Sequence, residues 1–208
     1  IADAVKAIYY AVDNGANILS NSWGGGGYST ALKRAIEYAR DQGVLFIAAA
    51  GNQSENNDST PSYPANYSVA NIISVAASDR RDKLSSFSNY GKKSVHLAAP
   101  GSAILSTTPN SKFASYYGTS MATPHVAGAA ALIRAYNPTL SALEIKNLLL
   151  STVDKKPAFQ GRVITGGRLN IANALTASRP DWKTITEGRS GSLAPASDGA
   201  MTIKIDAT

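Results

Sequence analysis

The chain has 208 residues, 44% of them hydrophobic, enough for one domain with a true core. The 20 basic and 14 acidic residues give a net charge of +6. The basic residues are scattered in pairs such as Lys33-Arg34 and Arg80-Arg81, with no stripe interleaved with aromatics, so no nucleic-acid partner is expected. There is no cysteine, which excludes a disulfide scaffold and a thiol nucleophile, and no apolar stretch reaches the ~20 residues that span a bilayer, so no membrane partner is expected either.

Residues 2–13 read as an amphipathic helix with Val5, Ile8, Tyr9 and Val12 on one side, stopped at Asn14-Gly15. Asn17 to Ser22 reads as a short strand, and Gly24 to Gly27 as a flexible or closely approached loop. Ser29 or Thr30 can cap a helix running to about Asp41, with Leu32, Ala35, Ile36 and Ala39 inward. Gly43 ends it, and Val44 to Ala48 is a buried strand. Strand, helix, strand in this order is a βαβ unit and predicts a parallel sheet. Residues 52–66 are polar and read as a loop; Ile72 to Ala76 and Val95 to Ala98 are further strands. The helix over 119–135 is apolar on every face, which predicts burial all round. Asn137-Pro138 breaks it, Thr139 or Ser141 caps a helix to about Leu150, and Asn170 to Ala177 is a last short helix. Composition shifts after Arg179-Pro180. Residues 1–178 are therefore expected to form the domain. Residues 179–208, with a small alternating piece at Thr202 to Ile205, are expected to be a tail or the start of a β-rich appendage.

The most informative stretch is Gly118-Thr119-Ser120-Met121-Ala122-Thr123-Pro124-His125. It reads as a serine at the start of a helix. Gly118 permits a tight turn, and Pro124 is expected in the first turn, where its missing N–H costs nothing. A hydroxyl there faces unpaired N–H groups and the positive end of the helix dipole, a setting that favours a developing oxyanion. An isolated serine at such a place is ordinarily an N-cap; the surrounding octapeptide turns the reading towards a nucleophile. Asn52 follows Gly51 after the Ala48-Ala49-Ala50 strand, at the carboxyl edge where open α/β sheets place their ligands. Its amide could donate to an oxyanion, with the N–H of Ser120 as the second donor; Gly51-Asn52 alone would support only a turn.

Gly118 to Gly128 resembles the nucleophile signature of the subtilisin-like serine proteases (subtilases). Ala48 to Asn52 resembles the family's oxyanion-hole segment, and Asn21-Ser22-Trp23-Gly24 its substrate-binding edge strand. Tyr63-Pro64-Ala65, Ala98-Ala99-Pro100-Gly101 and Gly166 to Asn170 resemble further family segments in the same order, so the similarity covers roughly residues 1–178. The resemblance implies a three-layer α/β fold, with a mostly parallel sheet flanked by helices, whose N-terminal part is missing from this chain. It implies a secreted, extracellular serine endopeptidase that forms an acyl-enzyme on Ser120, with Asn52 at the oxyanion. It implies an extended peptide or protein substrate added as a strand along Ser22, Trp23 and Gly24. Ser22 to Gly24 and Ala50, Gly51 and Asn52 would wall the primary pocket, with Thr119 a further substrate contact and Trp23 at a more distal pocket. The family's Asp-Thr-Gly and His-Gly-Thr-His motifs do not occur here. The expected partner is therefore the N-terminal part of the same protease, on a preceding stretch or a separate chain, carrying the catalytic Asp and His.

The two histidines do not replace that part. His125 lies five residues after Ser120, about 500° further round the helix. Asp79 or Asp82, His96 and Ser120 mimic the subtilisin order, but by resemblance His96 sits on a later strand of the sheet. An α/β-hydrolase needs a histidine after the nucleophile helix, and the chymotrypsin order needs an Asp between His96 and Ser120; neither exists. The chemistry requires no cofactor. Many subtilases bind calcium, yet at one family cation site Ser94 and His96 stand where carboxylates are expected, and Asp58, Asp79 and Asp82 are isolated. No metal site is expected from this segment. Asn66-Tyr67-Ser68 is a glycosylation sequon. Two rival readings remain: a non-catalytic peptide-binding pseudoprotease that keeps the groove without the triad, and an inert fragment.

Overall fold

A computed structural model describes residues 1–179; the tail or appendage expected over 179–208 lies, from Pro180 onward, outside the described residues. Four strands form the centre of the sheet: β1 (Ile18–Asn21), β2 (Leu45–Ala49), β3 (Ile72–Ser78) and β4 (Leu97–Pro100). They pair in parallel in that order, with Leu19 opposite Phe46, Ile47 opposite Ile73 and Val75 opposite Leu97. Beyond β4 the sheet ends in two short strands. β8 (Gly167–Arg168) pairs in parallel with β4, and β7 (Asp154–Lys155) pairs antiparallel with β8.

Alternation along β2 explains the three layers. Leu45 and Ile47 point to one face, where they join Ile73, Val75 and Leu97 against α3 (Thr119–Tyr136), α4 (Ala142–Ser151) and α5 (Ile171–Ala177). Phe46 and Ala48 point to the other, against Ile8 and Val12 of α1 (Ala2–Asp13) and Leu32, Ala35, Ile36 and Ala39 of α2 (Thr30–Asp41). Both faces are covered, so the strands read as continuous apolar runs. The expected parallel α/β architecture is the one observed.

The helix ends follow their local signals. Ser29 caps α2 by accepting the N–H of Leu32, and Ser141 with Glu144 closes a capping box on α4. α3 departs from its expectation. Val126, Ala129, Ala130 and Ile133 are buried, but Pro124, Gly128, Ala131 and Ala135 form an outward stripe, and Leu132 is 47% exposed. Small side chains score as apolar yet carry little apolar area, so one face of them costs little to leave in water.

An element not expected from sequence is an antiparallel hairpin, β5 (Ile104–Thr108) and β6 (Lys112–Tyr116). Pro109, Asn110 and Ser111 turn it, with Asn110 and Ser111 both at positive φ (66° and 55°), a region that tight hairpin turns use.

Candidate active site

The carboxyl ends of β1 and β2 deliver two loops beside the start of α3. Asn21 ends β1 and Ser22 follows; Ala49 ends β2 and Ala50, Gly51 and Asn52 follow. Gly118, the residue before α3, is tied to the sheet by its N–H, which donates to the carbonyl of Gly101 at 2.8 Å, just beyond β4. Its φ of 154° lies in the region L side chains rarely adopt.

Asn52 is held by its acceptor end alone. Its Oδ1 receives the Thr119 N–H at 2.8 Å and the Thr119 hydroxyl at 3.0 Å. Two donors on one oxygen settle which way the amide faces, and Nδ2 is left free to donate. The N–H of Ser120, at the second position of α3, has no intrahelical acceptor. Two unspent donors thus stand at one helix start. Thr119 itself is fully buried, and its Oγ1 also accepts the Gly51 N–H at 3.2 Å. The substrate contact expected of Thr119 is therefore not made by an open side chain; its hydroxyl stands behind Asn52.

Ser120 and Ser22 are joined by a reciprocal pair of bonds. The Ser120 hydroxyl donates to the Ser22 carbonyl at 3.1 Å, and the Ser22 hydroxyl donates to the Ser120 carbonyl at 2.8 Å. Pro124 makes the second bond possible. It stands at the sixth position of α3, not in the first turn as expected, and its missing N–H would otherwise have bonded the Ser120 carbonyl. The vacated carbonyl is what Ser22 fills.

Behind Asn52 lies a buried amide network that sequence reading passed over. Asn89 Oδ1 accepts the N–H groups of Gln53 (2.8 Å) and Glu55 (3.1 Å), and its Nδ2 donates to Asn57 Oδ1 at 3.0 Å. Asn57 in turn donates to the Ala50 carbonyl at 2.8 Å. Gly51 has φ 116°, and a Cβ there would collide with the Asn89 side chain. No motif announces these residues; an Asn-rich run beside Gly51 was the available signal.

Ser22, Trp23 and Gly24 border the same edge, all three exposed. The glycine loop that follows is docked: Gly25 N–H donates to the Tyr63 carbonyl at 3.2 Å, and Gly26 forms an antiparallel bridge with Tyr63. Trp23, 39% exposed, lines a small cavity of about 220 Å³ with Ile1, Ala4, Leu32 and Tyr63. Ala50 is fully buried beneath Gly51.

Neither histidine reaches Ser120. His125 Nδ1 bonds the Met121 carbonyl at 2.8 Å on its own helix. His96 Nδ1 accepts the Ser74 N–H at 3.0 Å, before β4 and at the amino edge of the sheet. Burial, and then the nearby Lys146 charge, pushes His96 down to about 3, so it is a neutral ring with its proton on Nε2. The sequon residue Asn66 is also engaged, donating Nδ2 to the Asn57 carbonyl at 2.8 Å and accepting the Ser62 N–H at 3.1 Å. Among the described residues no three His, Cys, Asp or Glu side chains converge as a metal site. At the cation site implied by resemblance, Ser94 and His96 stand beside Lys146, whose ammonium donates to the carbonyls of Ala70 (2.8 Å) and Ile72 (2.7 Å). A charged amine on those carbonyls and no carboxylate in the lining do not fit a divalent cation.

Comparison with known proteins identifies the family. A model of the subtilase family matches residues 1–170. Thermitase of Thermoactinomyces vulgaris is 45% identical over 170 residues, covering 82% of this chain and 58% of that protein. Subtilisin-like protease 2 of Plasmodium falciparum is 38% identical over 180 residues, covering 83% of this chain and 13% of that protein. Among solved structures, the prenylagaramide maturation protease PagA superposes with a TM-score of 0.77 at 33% identity, over 86% of this chain and 68% of that one. The chain spans 58% of the length of thermitase and 13% of that of the Plasmodium protease, less than two thirds of either.

Proposed function

The chain belongs to the subtilase family, and on that footing we propose that it carries the nucleophile, the oxyanion donors and the substrate-binding edge of a serine endopeptidase. Ser120 Oγ attacks the scissile carbonyl of an extended peptide. Asn52 Nδ2 and the Ser120 N–H receive the oxyanion. The substrate strand lies along Ser22 to Gly24, and the walls of the primary pocket are that segment and Ala50 to Asn52. Trp23 borders the more distal cavity. Thr119 acts through Asn52, as a positioning residue. An Asp and a His on a preceding segment, or on a separate chain, complete the proton relay, since both histidines here are engaged elsewhere. An extracellular location is part of the same reading and rests on the family. No metal or cofactor enters any step.

The observation that carries this reading is the locked amide of Asn52, whose acceptor is spent on Thr119 while its donor remains unspent beside Ser120 N–H. The test is active-site labelling of the full-length protein with a fluorophosphonate, followed by mapping of the modified residue. Modification of Ser120, lost in Ser120→Ala, is expected. Absence of labelling in a folded full-length protein would favour the pseudoprotease, and labelling at another residue would displace Ser120 as nucleophile.

A further inference from the structure

The opposite edge of the sheet holds a second cleft, which the proposed peptidase chemistry does not use. It has a volume of about 580 Å³ and opens where α2 leads into β2 and where the chain enters β3 and β4. Its charged lining is of one sign. Arg40, Lys93 and Lys146 face it, with neutral His96 between them, and no carboxylate lines it. Two carboxylates lie close by and are spent. Asp41 is paired with the Arg40 guanidinium at 2.7 Å, and Asp58 accepts the Lys93 N–H and the Ser94 hydroxyl.

The donors left over point to a ligand class. Lys146 carries three N–H bonds; the Ala70 and Ile72 carbonyls take two, and one remains. His96 accepts at Nδ1, which puts its proton on Nε2, and that N–H has no protein acceptor among the described residues. The Lys93 ammonium likewise has no carboxylate partner among the described residues; only its backbone N–H meets Asp58. Three residues with unspent N–H donors, two of them cationic, line one open cleft. A cation would be repelled there, and an apolar ligand would strand these donors without acceptors. An oxyanion is the ligand class that matches this lining, since its oxygens accept charge-assisted hydrogen bonds from such donors.

We propose that this cleft is an anion site for a phosphate or sulfate group, bound by Lys146, Lys93 and the Nε2–H of His96. The volume exceeds what a bare tetrahedral ion needs, so the group can be free or carried on a small organic body. Binding here is separate from Ser120 and independent of whether the protein is a peptidase.

Calorimetric titration of the full-length protein with inorganic phosphate, and in parallel with O-phosphoserine, tests the site at constant ionic strength. Phosphate should bind, and Lys93→Gln should weaken it about tenfold, the loss of one charge-assisted bond. Lys93 is exposed, so this variant should fold normally and leave peptide hydrolysis unchanged. His96→Gln, probed the same way, should weaken binding as well. Binding of both ligands identifies a group carried on a larger molecule, and binding of phosphate alone identifies the free ion; either supports the site. No heat with either ligand, or affinities unchanged in both variants, overturns it.

Discussion

The two edges of one parallel sheet finish their polar groups in different ways. At the carboxyl edge the groups are satisfied by one another: Ser22 by Ser120, Asn52 by Thr119, and Ala50 by Asn57. Two donors are left over there, the Asn52 amide and the Ser120 N–H. At the amino edge the carbonyls of Ala70 and Ile72 are closed by the Lys146 ammonium, reaching in from α4. The first edge is neutral and closed by its own hydrogen bonds apart from those two donors, which the proposed function assigns to negative charge that develops during a reaction. The second is a standing positive charge. An edge of the first kind suits a transition state, because its donors cost no reorganisation as charge appears; an edge of the second kind suits a ground-state anion.

Breaking the carboxyl edge at the nucleophile should have the largest effect. Ser120→Ala in the full-length protein is expected to lower kcat about a millionfold while the melting temperature holds, a magnitude established on subtilisin, a relative, and borrowed here. Asn52→Ala comes next, with kcat down about 10²–10³-fold and KM little changed, again by analogy with subtilisin. Steady-state kinetics on a peptide substrate reads both. If Asn52→Ala raised KM and spared kcat, Asn52 would be a ground-state binding residue and the contrast between the edges would fail.

A smaller change sharpens how the edge is built. Ser22→Ala leaves the Ser120 carbonyl without its hydroxyl donor, at a cost of about 1–3 kcal/mol if the group stays unsatisfied. Pro124→Ala gives that carbonyl a new intrahelical N–H. The effect of Ser22→Ala on stability and on kcat should therefore shrink in the Pro124→Ala background. A double-mutant cycle cancels what proline contributes through the unfolded chain. Equal costs in both backgrounds would show that Ser22 and Pro124 act separately.

These pairings also mark where sequence reading stopped. α2 was legible because Leu32, Ala35, Ile36 and Ala39 keep one helical face and Ser29 supplies the cap. β2 and β3 were legible as apolar runs between glycine and polar breaks. The β5–β6 hairpin was not, because it lies at the surface with Leu105, Phe113 and Tyr116 exposed, so its burial never alternates cleanly. Pro-Asn-Ser at 109–111 between β-prone residues was the usable signal. Ser120 and Asn52 stood out because their neighbours form long motifs, whereas Asn57 and Asn89 act through contacts 32 residues apart that no local pattern encodes. The reciprocal link of Ser22 to Ser120 spans 98 residues and is visible only in three dimensions.

A last test reads the amino edge through its proton balance, with no effect on catalysis expected. Burial pushes Lys146 down to about 8 from an ordinary value of 10.5. In the folded protein the amine therefore gives up its proton near pH 8, while the unfolded chain keeps it until about 10.5. Between these values the unfolded state binds more protons, so stability must rise with pH across that window and be flat below it for this group. Thermal melts of the full-length protein from pH 7 to 10.5, set against Lys146→Met, isolate the term, because other lysines cancel in the difference. A difference that fell with pH would mean that the two carbonyls hold the ammonium more firmly than burial opposes it. Phosphate gives the experiment a second arm. An oxyanion in the cleft favours the charged amine, so saturating phosphate should move the rise to higher pH and leave the Lys146→Met profile where it was.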